Sequence, residues 1–530
     1  MTTPGQRGFV LEALPGDEEE DLLSAVLAVL GQSFTVAADT DARGGGVRRR
    51  TWLDTFDWRL YRAGLMLQFE QARRGGRLLL SKTDGTPQAE QDVTSWPRRP
   101  PLDLPEGPVR DRIIVLTSPR ALLPLARAVS TASVTRLLNA DGKTVARLVT
   151  EHTTVTAPGT TAPTAELPAR LVVTEVRGYP GQARRAATLL AAVPGLGYAS
   201  QTVFTAALTA LGRHPSDGGP PADQEITATM PAQVAVARLL LRLLDTLELN
   251  VDGVLRDIDT EFLHDFRVAV RRTRSALKLL GGVLPADLAG YYGAEFKWLG
   301  DLTTPTRDLD VHLLGFDAMA AQLVAASPAD LEPLRAFLVR RRAREFRRLA
   351  RTLRGPRFRA ITDDWRKALL EIRDAGGPPR PTAAGLARAT TGRAFRKIVA
   401  QGAAITPTSA PESLHNLRKR AKELRYLLEF FAPLHDPVSY RKVVSDLKQL
   451  QDCLGEFQDS EVQRAEIHAL ADAMLAEHAG PAATLLAMGE IAAKLALSQA
   501  EARAEFAVRF ARFAGPAGQE RVRVLLEGRP

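Results

Sequence analysis

The chain has 530 residues, 45% of them apolar, with 70 Lys and Arg against 61 Asp and Glu, a formal net charge of +9. That length predicts two to four domains with real cores, and no stretch approaches the ~18 uninterrupted apolar residues of a membrane-spanning helix. A single cysteine, Cys453, excludes an internal disulfide framework and a cysteine-based zinc site, and Met1-Thr-Thr-Pro-Gly-Gln-Arg lacks the apolar run of a signal peptide, so cytoplasm is the expected compartment.

From residue 9 to about 205 the pattern is strand-like. Short runs such as Leu78-Leu-Leu-Ser, Ile113-Ile-Val-Leu, Val145-Ala-Arg-Leu-Val-Thr and Leu171-Val-Val-Thr-Glu-Val are separated by Gly, Pro and Asp turns. The spacing of Leu, Val and Ala predicts two interrupting helices, over 17–30 and 120–130. A Pro- and Gly-containing linker, His214-Pro-Ser-Asp-Gly-Gly-Pro-Pro-Ala-Asp, then marks a boundary.

From about 226 the chain reads as successive helices of roughly 18 to 28 residues broken at Pro or Gly, among them Pro285, Pro305, Pro328, Pro356, Pro411, Pro437 and Pro481. The expected fold is therefore α+β and multidomain: a strand-rich domain over 7–205, a linker over 206–225, and an all-helical domain over 226–515 with halves of about 226–375 and 380–515. The basic excess belongs to the helical part. Residues 1–224 carry 25 Lys and Arg against 23 Asp and Glu, while residues 225–530 carry 45 against 38.

One cationic pattern is written twice in that part. His264-Asp-Phe-Arg267-Val-Ala-Val-Arg271-Arg-Thr-Arg274 returns as His415-Asn-Leu-Arg418-Lys-Arg-Ala-Lys422-Glu-Leu-Arg425, 151 residues later. The same offset aligns Lys297 with Lys448, Leu299 with Leu450, Asp301 with Asp452, Asp308 with Asp459 and, more weakly, Arg242 with Arg393. A repeat of this length means two copies of one supersecondary unit. Cys453 falls where Leu302 sits in the first copy, which makes it a core packing residue.

On a helix, His264, Arg267, Arg271, Arg274 and Lys278 share one stripe about 80° wide, beside an apolar stripe of Phe262, Phe266, Ala269, Thr273, Leu277 and Leu280. Five cations side by side repel one another, a cost that a multivalent anion would remove. Arginine forks grip phosphate oxygens bidentately and lysine adds point charge. A solvated charge face is the ordinary reading of one such helix; two copies in register point instead to facing stripes around a shared anion. The histidines fit phosphate contact or local structure better than metal binding, because neither has an H-x-x-x-H or H-x-x-E partner. Asp301, Asp308, Asp310, Asp452 and Asp459 read as ion-pair and cap residues. Arg340, Arg344 and Arg347 lie in an arginine-dense helix and read as a secondary basic surface that would attract an anion from a distance.

These residues resemble the CHAD family, over roughly 226–515, through HDFRVAVRRTRSALKLL, FKWLGDLTTPTRDLDVHLL, SLHNLRKRAKELRYLLEFF and LKQLQDCLGEFQDSEV. The resemblance implies two pseudo-symmetric four-helix bundles with a basic groove between them that binds inorganic polyphosphate, often at polyphosphate granules. It implies phosphate contact by His264, Arg267, Arg271, Arg274, Lys278, Lys297, His415, Arg418, Lys419, Lys422, Arg425 and Lys448, with Arg242, Arg393, Arg340, Arg344 and Arg347 as outer cations.

The N-terminal region is similar to the CYTH family, an antiparallel triphosphate-tunnel β-barrel. The markers are Trp52-Leu-Asp54-Thr55, Leu60-Tyr-Arg-Ala-Gly64-Leu, Leu80-Ser-Lys82 and Thr174-Glu175-Val-Arg177-Gly178. The family's E-x-E-x-K strand survives only as Val10-Leu-Glu12-Ala-Leu14, its L-R-x-R strand reads Leu67-Gln68-Phe69-Glu70, and its late paired acids reduce to Val173 and Glu175. The barrel is therefore expected to be degenerate and non-enzymatic, a structural or weak anion-binding module. The leading expectation is a polyphosphate-binding protein with no cofactor, no metal and no membrane partner. The alternative is a Mg²⁺- or Mn²⁺-dependent triphosphate or polyphosphate hydrolase with Glu12, Lys82 and Glu175 as remnants. Nucleic-acid binding ranks third, because aromatics are 6% of the chain and none lies in the stripes.

Overall fold

The computed structural model describes residues 8–13, 19–39, 46–72, 74–94, 104–214 and 225–527. The chain divides into two compact units between Gly219 and Pro220.

The first unit is built on a ten-stranded antiparallel sheet. Its path runs β10 (Leu196–Tyr198), β1 (Gly8–Ala13), β9 (Ala165–Glu175), β8 (Thr144–Thr156), β7 (Leu123–Leu138), β3 (Gly46–Asp54), β4 (Leu65–Gln71), β5 (Gly76–Lys82) and β6 (Pro87–Val93). The long β7 serves two partners on one side: β3 along its first part and β2 (Thr35–Ala38) along its end. The antiparallel sheet followed by a helical unit is the α+β layout expected from the sequence; among the described residues the end strands β10 and β6 do not pair with each other.

Consecutive burial from Ala169 to Thr174 shows that β9 is covered on both faces, as a run of uninterrupted apolar residues requires. One face packs on α1 (Glu19–Gly31) and α4 (Pro180–Ala191) through Leu22, Val26, Leu30, Ala183, Ala186 and Leu190. Elsewhere in the sheet, Trp52, Met66, Ala126 and Val155 join Phe204, Ala207 and Leu208 of α5 (Val203–Ala210) in a second core. α5 thus runs past residue 205, and it packs on β7 and β9.

Two local expectations are corrected. Ile113-Ile-Val-Leu lies in α3 (Pro108–Thr117), where Ile113 is buried and Val115 is 81% exposed. A run of four apolar residues does not by itself distinguish the two periods, and Pro108 at the first helical position decides for helix. Residues 123–130, expected as helix, belong to β7, whose pairing with β3 and β8 overrides the helix preference of its alanines.

The second unit is helical among its described residues, apart from short turns: α6 (Ala232–Leu255), α7 (Thr260–Leu280), α8 (Ala286–Leu314), α9 (Phe316–Ala320), α10 (Glu332–Leu353), α11 (Pro356–Asp374), α12 (Ala383–Ala403), α13 (Pro411–Phe430), α14 (Pro437–Ala476), α15 (Ala482–Ala514) and α16 (Pro516–Glu527). Pro356, Pro411 and Pro437 occupy first-turn positions, where the missing N–H costs nothing. Pro305, expected as a break, lies inside α8 instead. α14 and α15, of 40 and 33 residues, exceed the expected helix lengths.

The offset of 151 carries the start of α6 onto α12, of α7 onto α13 and of α8 onto α14, and the 3₁₀ turn Gly281–Val283 onto Ala432–Leu434. The copies also touch in a reciprocal way. Ala232 N–H donates to Pro381 O at 2.9 Å, and Ala383 N–H donates to Met230 O at 2.7 Å, one bond written twice with the copies exchanged. That reciprocity is the mark of a pseudo-twofold axis, as in an isologous interface. The halves also share a core: Leu309, Phe316, Leu334, Phe337 and Leu338 of the first pack with Ile467, Leu470, Met474 and Met488 of the second.

Candidate functional site

α7 begins at Asp259, whose side chain accepts from Glu261 N–H and Phe262 N–H. Its Phe262, Phe266, Ala269, Thr273, Leu277 and Leu280 are buried, which turns the basic stripe outward. Arg271 and Lys278 are exposed, while His264, Arg267 and Arg274 are half-buried against α8. Arg267 Nη1 donates to Gly300 O at 3.2 Å and to the hydroxyls of Thr303 and Thr304 at 2.9 and 2.8 Å, bracing the turn of α8 just before Pro305. Arg274 lies so close to Gly300 that a Cβ there would stand 2.9 Å from its Nη1. Burial, with Arg307 adding to it, pushes the His264 imidazole below its ordinary range, so at neutral pH it adds no positive charge.

The second copy repeats these contacts with different side chains. His415 Nδ1 is 2.5 Å from Gln458 Oε1, at the position equivalent to Arg307. Arg418 Nη2 donates to Asp459 Oδ1 at 2.8 Å, and Arg425 Nη1 donates to Gln451, the counterpart of Gly300, at 3.3 Å. His415 thus ties its motif helix to the helix that follows it, while His264 lies near Arg307 of α8.

The two motif helices pack directly on each other. Arg272 forms an ion pair with Glu429, and Lys278 forms one with Glu423 at 2.7 Å. Position 272 corresponds to 423 and position 278 to 429, so this is again one contact made twice, with one copy supplying both cations and the other both anions. Its centre falls at Ser275 and Tyr426, themselves counterparts, and Arg271 Cζ lies 6.0 Å from the Tyr426 ring. Beside this axis the counterparts Arg271 and Lys422 act on each other. Burial, then Arg418 and Arg271, push the Lys422 ammonium down to about 8. The carboxylate that acts on Lys422, Asp459, is already held by Arg418.

The ten Lys and Arg among the twelve residues expected from the sequence therefore divide. Arg271, Arg418 and Lys422 converge at the axis, with Arg267 next to Arg271. Lys278 and Arg425 are neutralised by Glu423 and Glu429, and Lys297 pairs with Asp301 at 3.4 Å. Lys419 and Lys448 are exposed on α13 and α14. Of the outer cations, Arg242 is half-buried on α6 and Arg393 exposed on α12, whereas Arg340, Arg344 and Arg347 line a separate hollow of about 330 Å³ with Phe337 and Glu477. The sequence reading overlooked Glu423 and Glu429; their offset from Arg272 and Lys278 was the available signal. It also overlooked Arg342, bound to Asp257 and Asp310 in the interior.

The sheet unit has a cavity of about 520 Å³ lined by Arg50, Trp52, Gln68, Glu151 and Arg170, among others. Arg170 Nη2 donates to Glu12 Oε2 at 3.0 Å and to Gln201 O at 2.6 Å. Lys82 is exposed on β5 and Glu175 ends β9, and neither lines the cavity. The lining offers two carboxylates, Glu151 and Asp84, beside two guanidinium groups, a donor set that does not fit a divalent cation. Among the described residues no group of three or more His, Cys, Asp or Glu is placed to hold a metal ion.

Residues 238–468 match the family model for the CHAD domain, and this stretch of the helical unit is a CHAD domain. An uncharacterized protein of Mycobacterium tuberculosis is 28% identical over 290 residues, which is 54% of this chain and 52% of that protein, so the match spans about half the relative's length. The CHAD domain of the plant Ricinus communis is 26% identical over 54% of this chain and 93% of that one, with a TM-score of 0.46. A putative adenylyl cyclase from Hippeastrum, described as having a dominant triphosphatase activity, is 11% identical over 39% of this chain and 97% of that one, with a TM-score of 0.25. No helix among the described residues is long and apolar enough to cross a membrane.

Proposed function

We propose that the helical unit binds inorganic polyphosphate, with Arg271, Arg418 and Lys422 as its centre and with association to polyphosphate granules in the cytoplasm as the setting. The observation that carries this reading is the convergence of Arg271 and Lys422, each the other's counterpart across the pseudo-twofold axis, with the Lys422 ammonium held below its ordinary range by burial and then by the neighbouring cations Arg418 and Arg271. Like charges kept together in a folded protein cost energy that a polyanion returns on binding. A linear phosphate chain also has no intrinsic sequence of side groups, so it can present the same oxygens to both copies of the motif. Lys419 on α13 and Lys448 on α14, both exposed, extend the positive surface.

Tyr426 is 8% exposed and lies beneath Arg271, so it offers no platform on which a base could stack, which favours polyphosphate over single-stranded nucleic acid. The test is a parallel titration with long-chain polyphosphate, ATP and single-stranded DNA at fixed salt. Polyphosphate is expected to bind tightest, with log affinity falling linearly against log salt as counterions are released. Undiminished polyphosphate binding by a folded Arg271→Glu/Arg418→Glu/Lys422→Glu variant would falsify the assignment.

A further inference from the structure

Two buried N–H donors stand on one face of β3 without an acceptor: Arg50 Nε and Trp52 Nε1, on residues 4% and 1% exposed. Strand alternation places positions 50 and 52 on the same side, and both line the cavity of the sheet unit. A buried donor with no partner is destabilising, and native proteins keep few of them outside working sites. The remainder of the Arg50 guanidinium is fixed, because Nη2 donates to Ser130 Oγ and that hydroxyl is held by Thr153 Oγ1 at 2.7 Å.

The cavity wall is mixed, with an aromatic and aliphatic side beside a polar one that includes Gln68, Thr202 and Thr205. Trp52 and Phe204 stand with ring centroids 5.8 Å apart, beside Met66, Val10 and Val172. The second arginine, Arg170, is occupied by Glu12 and Gln201 O. The guanidinium groups of Arg48, Arg50 and Arg170 stand with the carboxylates of Glu151, Glu12 and Asp84, Glu151 lying 4.0 Å from Arg48 and Glu12 bonded to Arg170, so no large positive surplus remains for a highly charged phosphate chain, and the lining carboxylates are too few for its usual divalent counterion. What is left unsatisfied is one cationic donor and the indole N–H of Trp52, next to an aromatic wall, and about 520 Å³ suits a small organic ligand.

We propose that this cavity binds a small organic monoanion of the aryl carboxylate class, whose carboxylate accepts from Arg50 Nε and whose ring packs between Trp52, Met66 and Phe204. The site is separate from the polyphosphate site and its ligand is selected by fit and one charge, not by charge density.

The experiment titrates the full chain with naphthalene-2-carboxylate by calorimetry, using naphthalene-2-carboxamide as the neutral body of the same shape and Mg²⁺-tripolyphosphate as competitor. The carboxylate is expected to bind one per chain, and the carboxamide on the order of tenfold more weakly, as loss of one buried charge-assisted hydrogen bond implies. Tripolyphosphate is expected to leave it bound. Arg50→Met should weaken the carboxylate by about tenfold or more. Because Arg50 is buried and its loss could unfold the unit, Val203→Trp provides a second arm: Val203 is a half-buried lining residue, and an indole there fills the chamber without touching the bonds of Arg50. No binding by the unaltered chain, undiminished binding by a folded Val203→Trp chain, or stoichiometric displacement by tripolyphosphate would each overturn the proposal.

Discussion

The two units use the same side chain in opposite ways. In the sheet unit Arg50 and Arg170 are buried; Arg170 is bonded to Glu12, and Glu151, 4.0 Å from Arg48, also acts on Arg50. In the helical unit Arg271 is exposed beside Lys422, and the nearest acid is already committed to Arg418. A buried and balanced cation is held in one geometry and selects a ligand by shape. An exposed and unbalanced group selects by charge density and tolerates many poses. Net charge alone therefore says where a polyanion can go only after the paired cations are set aside.

The sharpest way to break this contrast is to remove a half-buried arginine of the helical unit that is matched by acids. Arg342 bonds to Asp257 and, at 2.8 Å, to Asp310, a carboxylate whose side chain is 1% exposed. Arg342→Ala leaves two acids unpaired, and burial already holds the interior one, Asp310, above its ordinary range. The expected loss is about 3–5 kcal/mol in chemical denaturation, with polyphosphate affinity unchanged while the protein stays folded. Next in size, Arg271→Glu with Lys422→Glu should weaken long-chain polyphosphate about a hundredfold at low salt and flatten the log–log salt slope. Arg50→Met should leave that affinity untouched, and equal losses from the two changes would erase the distinction between the units.

Glu423 and Glu429 sharpen the contrast from the other side. They neutralise Lys278, Arg420, Arg425 and Arg272, and Lys278 is 66% exposed, so these pairs contribute only modestly to stability. Glu423→Gln with Glu429→Gln is expected to free four cations and raise polyphosphate affinity about threefold, with a melting temperature lower by a few degrees at most. A fall in affinity would mean that the pairs are needed to hold the axis together.

The repeat made most of the helical unit legible. A constant offset through Lys297 and Lys448 was enough to place two copies of helix, turn and helix in register, down to the 3₁₀ turns at Gly281 and Ala432. What it hid was partnership, because a helical wheel shows which cations share a face and not which acids meet them from another helix. Arg267 illustrates this: its stripe position predicted a phosphate contact, but its hydrogen bonds go to α8 around Gly300. The sheet unit was less legible. Its alanines between 126 and 132 carry helix preference, and only pairing with strands far away in sequence decides their state. The cavity arginines come from β3 and β9, and no local motif joins Arg50 to Arg170.

A titration isolates the axis through pH. The folded chain holds the Lys422 ammonium at about 8, against an ordinary 10.5, through burial and the charges of Arg418 and Arg271. Between these values the unfolded chain binds more protons than the folded one, so folding stability gains as pH rises through that window, while below about 8 the cost of the buried ammonium is constant. Binding runs the other way. A polyanion restores the ammonium and draws in a proton above pH 8, so affinity should fall about threefold to tenfold from pH 7 to 9.5. Lys422→Arg keeps its charge throughout that range and should flatten the profile with binding retained. Lys422→Met should flatten it with binding weakened and the folded state more stable at pH 7. A profile that keeps its slope in both variants would place the titrating group elsewhere and separate Lys422 from the ligand.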